Sequence, residues 1–344
     1  MERSDNVANS GHAFAMLKRG YPRRAVIAQG SEMRPAITAA CKMLASCLIF
    51  NQAASMAFQK AFSKDLTPEK LAAELHQLPP VARVLARLQR LLANSESGIA
   101  DVAGLIQLDA ALATRIIQIS NSVWFGRGEP CQTIEDAVNR VGFREVYHLV
   151  SVMASGAIVA QPLAAYGRDA MTQWRESVAC AFAAETLAAR LGEDASVGYT
   201  AGLLHGIGRL AIDHHLVATG DILKRLTDEG FPLDHSGAEF AMLGFNQADV
   251  GACMLEKWDL APVIIEPIRH QYEPLEADEP HDRMAALLYG ARLLRTIVCH
   301  HQQPAATGNE EEILGSLRLS RDAVLAALPE LQDQLARVHQ MTKL

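Results

Sequence analysis

Ala201-Gly202-Leu203-Leu204-His205-Gly206-Ile207-Gly208-Arg209-Leu210 reads as an apolar helical stretch that carries one histidine, with small residues close beside it. Around it, from about residue 67 onward, apolar residues recur at helical spacing. Val81, Val84, Leu85, Leu88, Leu91 and Leu92 fall on one face of a helix. No comparable strand alternation is present. Helix starts are marked by Thr67 before Pro68, by Thr133 with Asp136 three residues on, and by Asn246 with Asp249. Each offers a side-chain oxygen to backbone N–H groups that lack a helical partner. Stops are marked by Gly142, by Gly192, and by Pro274 and Pro280 around an acidic linker. The pattern predicts a compact all-α fold of several helices joined by short loops.

Composition narrows the function. At 344 residues, 49% hydrophobic and 21% charged, the chain can bury one large core or two ordinary ones, which excludes disorder throughout. A net charge of −7 with scattered Lys and Arg gives no general field for phosphate backbones or anionic lipid, so neither nucleic acid nor membrane is the expected partner. The six cysteines Cys41, Cys47, Cys131, Cys180, Cys253 and Cys299 form no CxxC pair and read as reduced, mostly buried thiols of a cytoplasmic protein. Ala36 to Phe58 is alanine-rich and interrupted by Lys42, Asn51 and Gln52, which is poor for a membrane span. A leader beginning at Met33 fits the grammar of a signal peptide only loosely, and a soluble chain is the expectation.

The two ends differ from the middle. The first 35 residues are rich in small and basic side chains, and residues 1–32 are expected to add nothing to folding. Ile37, Ala40, Cys41, Leu44, Cys47 and Leu48 fit one short helix. At the other end Ile313, Leu314, Leu317, Val324, Leu325, Leu328, Leu331, Leu335 and Val338 form amphipathic segments that need something to pack on.

Most catalytic signatures are missing: no GxxxxGK[ST], no GxGxxG after a strand, no HExxH, no GxSxG. The 201–210 stretch, however, resembles the AGLLHDIGKL segment of HD-type proteins. The likeness extends through Leu78-Pro79-Pro80, Asp109-Ala110-Ala111-Leu112, Ile119-Ser120-Asn121-Ser122, Ile134 with Ala137, Val141 and Gly142, Trp174-Arg175-Glu176-Ser177, and Gly251 with Lys257-Trp258 and Pro262. In this order the motifs resemble the HDOD family over roughly residues 70 to 275, with Ala82 and Ala110 standing where that family tends to have proline. The resemblance implies an N-terminal helical half at 67–165 and a degenerate HD-like half at 166–300, between an ill-defined arm at 1–60 and a helical tail at 301–344.

Active HD enzymes hold divalent metal with histidines and aspartates that converge from several helices to activate a water. Matched to that pattern, Glu176 stands in place of a histidine and Gly206 in place of the aspartate after His205. Gln247 stands where a further histidine is common, Gln271 and Tyr272 where His-His is common, and Ala291 where an aspartate would close the set. One conventional ligand, His205, remains, and an amide or a glycine cannot compensate a metal's charge. The resemblance therefore implies a non-enzymatic bacterial regulatory module that acts through signalling proteins, with no metal and no cofactor. A relic pocket of Trp174, Glu176, His205, Gly206, Gln247 and Gln271 is a candidate place for a small ligand. The plain reading of His205 is a core histidine, with Glu176 available to pair with it.

Two rivals stay open. A metal-dependent phosphohydrolase or cyclic-dinucleotide phosphodiesterase would need His205, His214 or His270 rescued by neighbours. A nucleic-acid-associated regulator would use the arm near Arg23 and Arg24. Asp213-His214-His215 and His300-His301, the latter expected near a loop, are weak metal candidates, because adjacent helical residues diverge by about 100°. Arg83, Arg87 and Arg90 read as a solvated helix face, and Trp124, Phe125 and Trp174 as core anchors.

Overall fold

The computed structural model describes residues 66–74, 87, 88, 90, 91, 98–107, 110–122, 125, 126, 128–217, 235–301, 304 and 308–342. Among them there is no strand, and the fold is all-α. The expectations placed on residues 1–60, on Leu78-Pro79-Pro80, on Val81 to Leu85, on Leu92, on Asp109 and on Trp124 lie outside the described residues.

The N-terminal half comprises α1 (Pro68–Glu74), α2 (Ile99–Ile106), α3 (Ala110–Ser120), α4 (Ile134–Val141) and α5 (Phe143–Val159). The starts and stops read from sequence carry real bonds. Thr133 Oγ1 accepts from the Asp136 N–H at 3.1 Å. Gly142, at φ 90°, lets the chain leave α4 and enter α5 at once.

α6 (Ala170–Leu191) is the axis of the molecule. It is buried on nearly every face from Glu176 to Ala188, and its many alanines let neighbours approach on all sides. α7 (Ala195–Leu204) crosses it so closely that a Cβ added at Gly202 would stand 2.5 Å from the Cys180 carbonyl oxygen. α8 (Gly208–Val217) makes an even tighter contact with α10 (Gln247–Lys257), since a Cβ on Gly208 would lie 2.0 Å from the Gln247 carbonyl. These two contacts explain the small residues around His205: the backbones need them.

α9 (His235–Leu243), α11 (Pro262–Arg269) and α12 (Asp282–His300) complete the second half, with α12 packed along α6. Asn246 and Asp249 cap α10 reciprocally, as their spacing predicts.

The tail forms α13 (Glu310–Ser316), α14 (Arg321–Leu325) and α15 (Leu328–Thr342). Its apolar face packs on its own chain: Ile313, Leu314, Leu317, Val324 and Leu331 are buried in the common core, and Leu335 and Val338 lean on it. Arg190 to Glu330 at 2.8 Å and Thr186 to Gln334 at 3.2 Å pin α15 to α6. A single hydrophobic cluster thus runs from Leu71 to Leu331. Cys131, Cys180, Cys253 and Cys299 are free thiols. No helix of the described residues is long and apolar enough to cross a membrane.

Candidate functional site: a buried glutamate among arginines

His205 sits at the C-terminal end of α7, and its ring is fully buried. Its Nδ1–H donates to the Gly202 carbonyl at 2.7 Å, which fixes the tautomer and leaves Nε2 as a bare lone pair. That Nε2 is buried without a hydrogen-bond partner. Burial, then the charges of Arg295 and Arg209, push the His205 pKa well below its usual value, so the ring is neutral. Gln247 and Gln271 place their amide nitrogens on the backbone beside it. Their Nε2 groups both donate to the His205 backbone carbonyl, at 3.1 and 2.8 Å, and clamp the end of α7.

Glu176 lies two turns into α6, whose start is fixed by Asp169 accepting from the Thr172 N–H at 2.7 Å. The expected Glu176–His205 pair does not form. Glu176 Oε2 instead accepts from Arg295 Nη1 at 3.0 Å and from Arg168 Nη1, Arg209 Nη1 stands 3.9 Å away, and His300 Nε2 bonds Oε1 at 3.0 Å. Carboxylate and guanidinium chemistry decides this preference: a buried charge seeks opposite charge, and a neutral imidazole offers none. Burial opposes ionisation of Glu176, but Arg295, Arg168 and Arg209 outweigh it and hold its pKa at about 2.

Each partner has a local reason to be there. Arg168 is thrown back onto α6 by a tight turn in which Leu163 and Arg168 exchange backbone hydrogen bonds around Gly167, at φ 61°. Arg295 and His300 come from α12, and His300 is its last residue, beside the chain's exit from the helix at His301, as the expected nearby loop requires. Arg209 comes from the first turn of α8. At Gly206, where an HD enzyme has its aspartate, a Cβ would meet Arg209 Nη1 at 3.0 Å and Gln173 Nε2 at 3.3 Å. A guanidinium therefore occupies the space in front of the missing carboxylate. Glu239 supports it from behind through its charge, while bonding the Tyr166 hydroxyl at 2.8 Å and the Gln247 N–H at 2.7 Å.

These residues do not fit a divalent metal. The Glu176 carboxylate is spent on guanidinium groups, Gly206 supplies no side-chain donor atom, and a further cation would be repelled by Arg168, Arg209 and Arg295. No group of three or more His, Cys, Asp or Glu that could hold a metal occurs among the described residues. Asp213 caps the Ala165 N–H at 2.7 Å, His214 is exposed, and His215 faces Glu74 at 3.4 Å. His270 ends α11 beside Glu266 at 3.8 Å. Trp174 is half-buried against the apolar core, about 200° around α6 from Glu176, and so lies outside the cluster. Arg87 and Arg90 are exposed, Arg90 lying 3.9 Å from Asp259.

A cavity of about 640 Å³ lies elsewhere, where α3, α5, α6 and α15 meet. Its walls include Leu149, Val152, Met153 and Phe182, with Arg115, Arg144 and Arg337 among its polar groups.

An all-helical domain with a buried glutamate ringed by arginines is the class that fold and geometry define. The chain belongs to the HDOD domain family, which it matches over residues 78–274. It is 26% identical over 215 residues to an uncharacterized protein of Treponema pallidum, a match that covers 61% of this chain and 40% of the Treponema protein's length. Among solved structures, it is similar to a Shewanella amazonensis protein named "Putative phosphohydrolase", with 25% identity, a TM-score of 0.57, and coverage of 79% of this chain and 94% of that one. It shares its fold with an HDOD domain protein of unknown function from Geobacter sulfurreducens, with 21% identity, a TM-score of 0.61, and coverage of 79% and 97%.

Proposed function

We propose that this chain is a non-enzymatic, cytoplasmic regulatory module that binds signalling proteins through its surface and performs no metal-assisted hydrolysis. The observation that carries the reading is the Arg209 guanidinium in front of Gly206, bound into the Arg168–Glu176–Arg295 cluster. It replaces an exchangeable cation with a covalently attached one. A metal supplies catalysis by polarising an oxygen or lowering the pKa of a bound water. A guanidinium that already faces a buried carboxylate has no open coordination position from which to do either. What such a cluster does well is hold α6, α8 and α12 in one arrangement, as a binding module requires.

The test is elemental analysis of the purified full chain together with assays against phosphomonoester and phosphodiester substrates. The expected result is no stoichiometric transition metal and no turnover. A metal content near one per chain, lost in His205→Ala, would overturn the proposal. Partner capture from a bacterial lysate with the full chain, repeated with Glu176→Gln, would then ask whether a locked cluster is needed for binding.

A further inference from the structure

Among the described helices, α2, α3 and α4 pack on one another and on α5, and α5 packs on α6. α1 stands apart from this group, against α8 and α10. α2 to α5 thus form a lobe that reaches the rest of the molecule chiefly along one seam, between α5 and α6. The seam differs in chemistry from the crossing of α6 with α7, where Gly198 and Gly202 lie directly on the backbone of Ala184 and Cys180. Between α5 and α6 charged groups are buried instead. His148 Nε2 stands 2.8 Å from Glu185 Oε1, with both side chains less than a tenth exposed. His148 Nδ1 stands 3.8 Å from Glu145, and Arg144 reaches the same Glu185 oxygen at 2.8 Å. From α7, Tyr199 stacks on the ring and Thr200 bonds the Tyr147 hydroxyl. From α15, Arg337 acts on Glu145. Arg115 of α3 and Glu330 of α15 line the cavity beside His148, with Glu330 paired to Arg190.

We infer that the Glu145–His148–Glu185 cluster is a proton-operated latch: with the ring charged it holds the α2–α5 lobe on α6, and on losing the proton it lets the lobe part from α6 as a unit. A charged ring answers both carboxylates from inside the seam. A neutral ring leaves them to Arg144 and Arg337, whose side chains are exposed to solvent and act through it. Burial of the ring opposes its charge, but Glu145 and Glu185 outweigh burial and raise its pKa above the ordinary 6.5. The closed seam therefore binds the proton more tightly than a parted one does. It is favoured below about 6.5 and gives way as pH rises through the higher value of the closed state. Parting would open the cavity of about 640 Å³, whose walls come from α3 and α5 on one side of the seam and from α6 and α15 on the other. A partner that prefers the parted arrangement is then favoured at the alkaline end. The latch goes beyond the reading as a binding module and does not depend on it.

The test is amide hydrogen exchange of the full chain, read by mass spectrometry between about pH 6 and about pH 9, with labelling times scaled to the intrinsic exchange rate at each pH. Peptides from Phe143–Val159 should exchange through an opening of their own, with protection at least about tenfold below that of α6 and α12. That protection should fall several-fold from the acid to the alkaline end, because a charged hydrogen bond is exchanged for a neutral one. In His148→Gln the opening should be present at every pH and the fall absent. Glu145→Gln, at a partly exposed position, removes one of the two carboxylates and should move the fall to lower pH. Equal protection in α5 and α12 would overturn the inference, since the lobe would then part only when the whole chain unfolds. So would protection of α5 that does not change with pH, or that falls equally in His148→Gln. If His148→Gln does not fold, Glu145→Gln decides, and a pH profile that it leaves unmoved overturns the latch.

Discussion

His148 Nε2 and the Glu185 carboxylate lie 2.8 Å apart, and through this buried contact α5 of the N-terminal half is fastened to the central helix α6. The ring also stacks on Tyr199, with centroids 4.6 Å apart, and meets Phe182 edge-on at 5.1 Å. Burial opposes protonation, but Glu145 and Glu185 outweigh it and raise the pKa above the ordinary 6.5.

A raised histidine pKa stabilises the fold only while the ring is charged. The contribution is complete below the unfolded value near 6.5 and is lost as pH rises through the higher folded value. His148→Gln should therefore cost more at about pH 6 than at about pH 9. Chemical denaturation across that range measures it. A pH-independent difference would mean that only the aromatic packing matters.

Glu176→Gln leaves Arg168, Arg209 and Arg295 without their common counter-charge. The expected loss is about 3–5 kcal/mol, the scale of breaking a buried pair by removing one partner. Because the Glu176 pKa is lowered to about 2, wild-type stability from this group is present above about 4.5 and fades as pH falls towards 2. The variant should lack that acid limb.

Gly206→Asp restores the pair of the active relatives in sequence, yet its carboxylate would reach Arg209 and not a metal, since the Cβ stands 3.0 Å from Arg209 Nη1. Both near neighbours are ends of flexible side chains, so the substitution should be tolerated, with stability unchanged or raised by about 1 kcal/mol. Elemental analysis should remain negative. Metal uptake by this single variant would show that the cluster yields to a cation.

Gly202→Ala puts a methyl group 2.5 Å from the Cys180 carbonyl, and Gly208→Ala puts one 2.0 Å from that of Gln247. In both cases the obstacle is backbone. Each should cost at least about 2 kcal/mol by urea denaturation, with Gly208→Ala the worse.

A chain ending at Gly308 loses α13 to α15 and uncovers the core side chains against which Leu314, Val324 and Leu331 pack. Its thermal midpoint should drop by more than about 5 °C. An unchanged midpoint would make the tail a separable arm.

The helices and their ends were legible because Thr133, Asn246, Gly142 and Gly192 act within one turn of themselves, where spacing in sequence is spacing in space. The departures of Glu176, Gly206, Gln247 and Gln271 from a ligand pattern were legible because such a match compares residue with residue. The surroundings of Glu176 were not. Arg168, Arg209 and Arg295 are separated by tens of residues and meet only after α6, α8 and α12 have packed. Arg209 stood inside the quoted stretch, one helical turn beyond His205, and with Arg292 and Arg295 on one later helix it was the available signal. The tail read correctly as amphipathic, but periodicity cannot say whether such a face covers its own chain or a stranger's.

Glu176 is the shared debtor of three guanidinium groups, and this makes the cluster hard to undo stepwise. Removing one arginine leaves the carboxylate content with the other two, whereas removing the carboxylate sets three like charges against one another. Loss of Glu176 and loss of an arginine should therefore be strongly non-additive, with the double change milder than the sum. A change at Glu176 is therefore tolerated best when the arginines around it change as well, so the charges of α6, α8 and α12 behave as one unit of substitution.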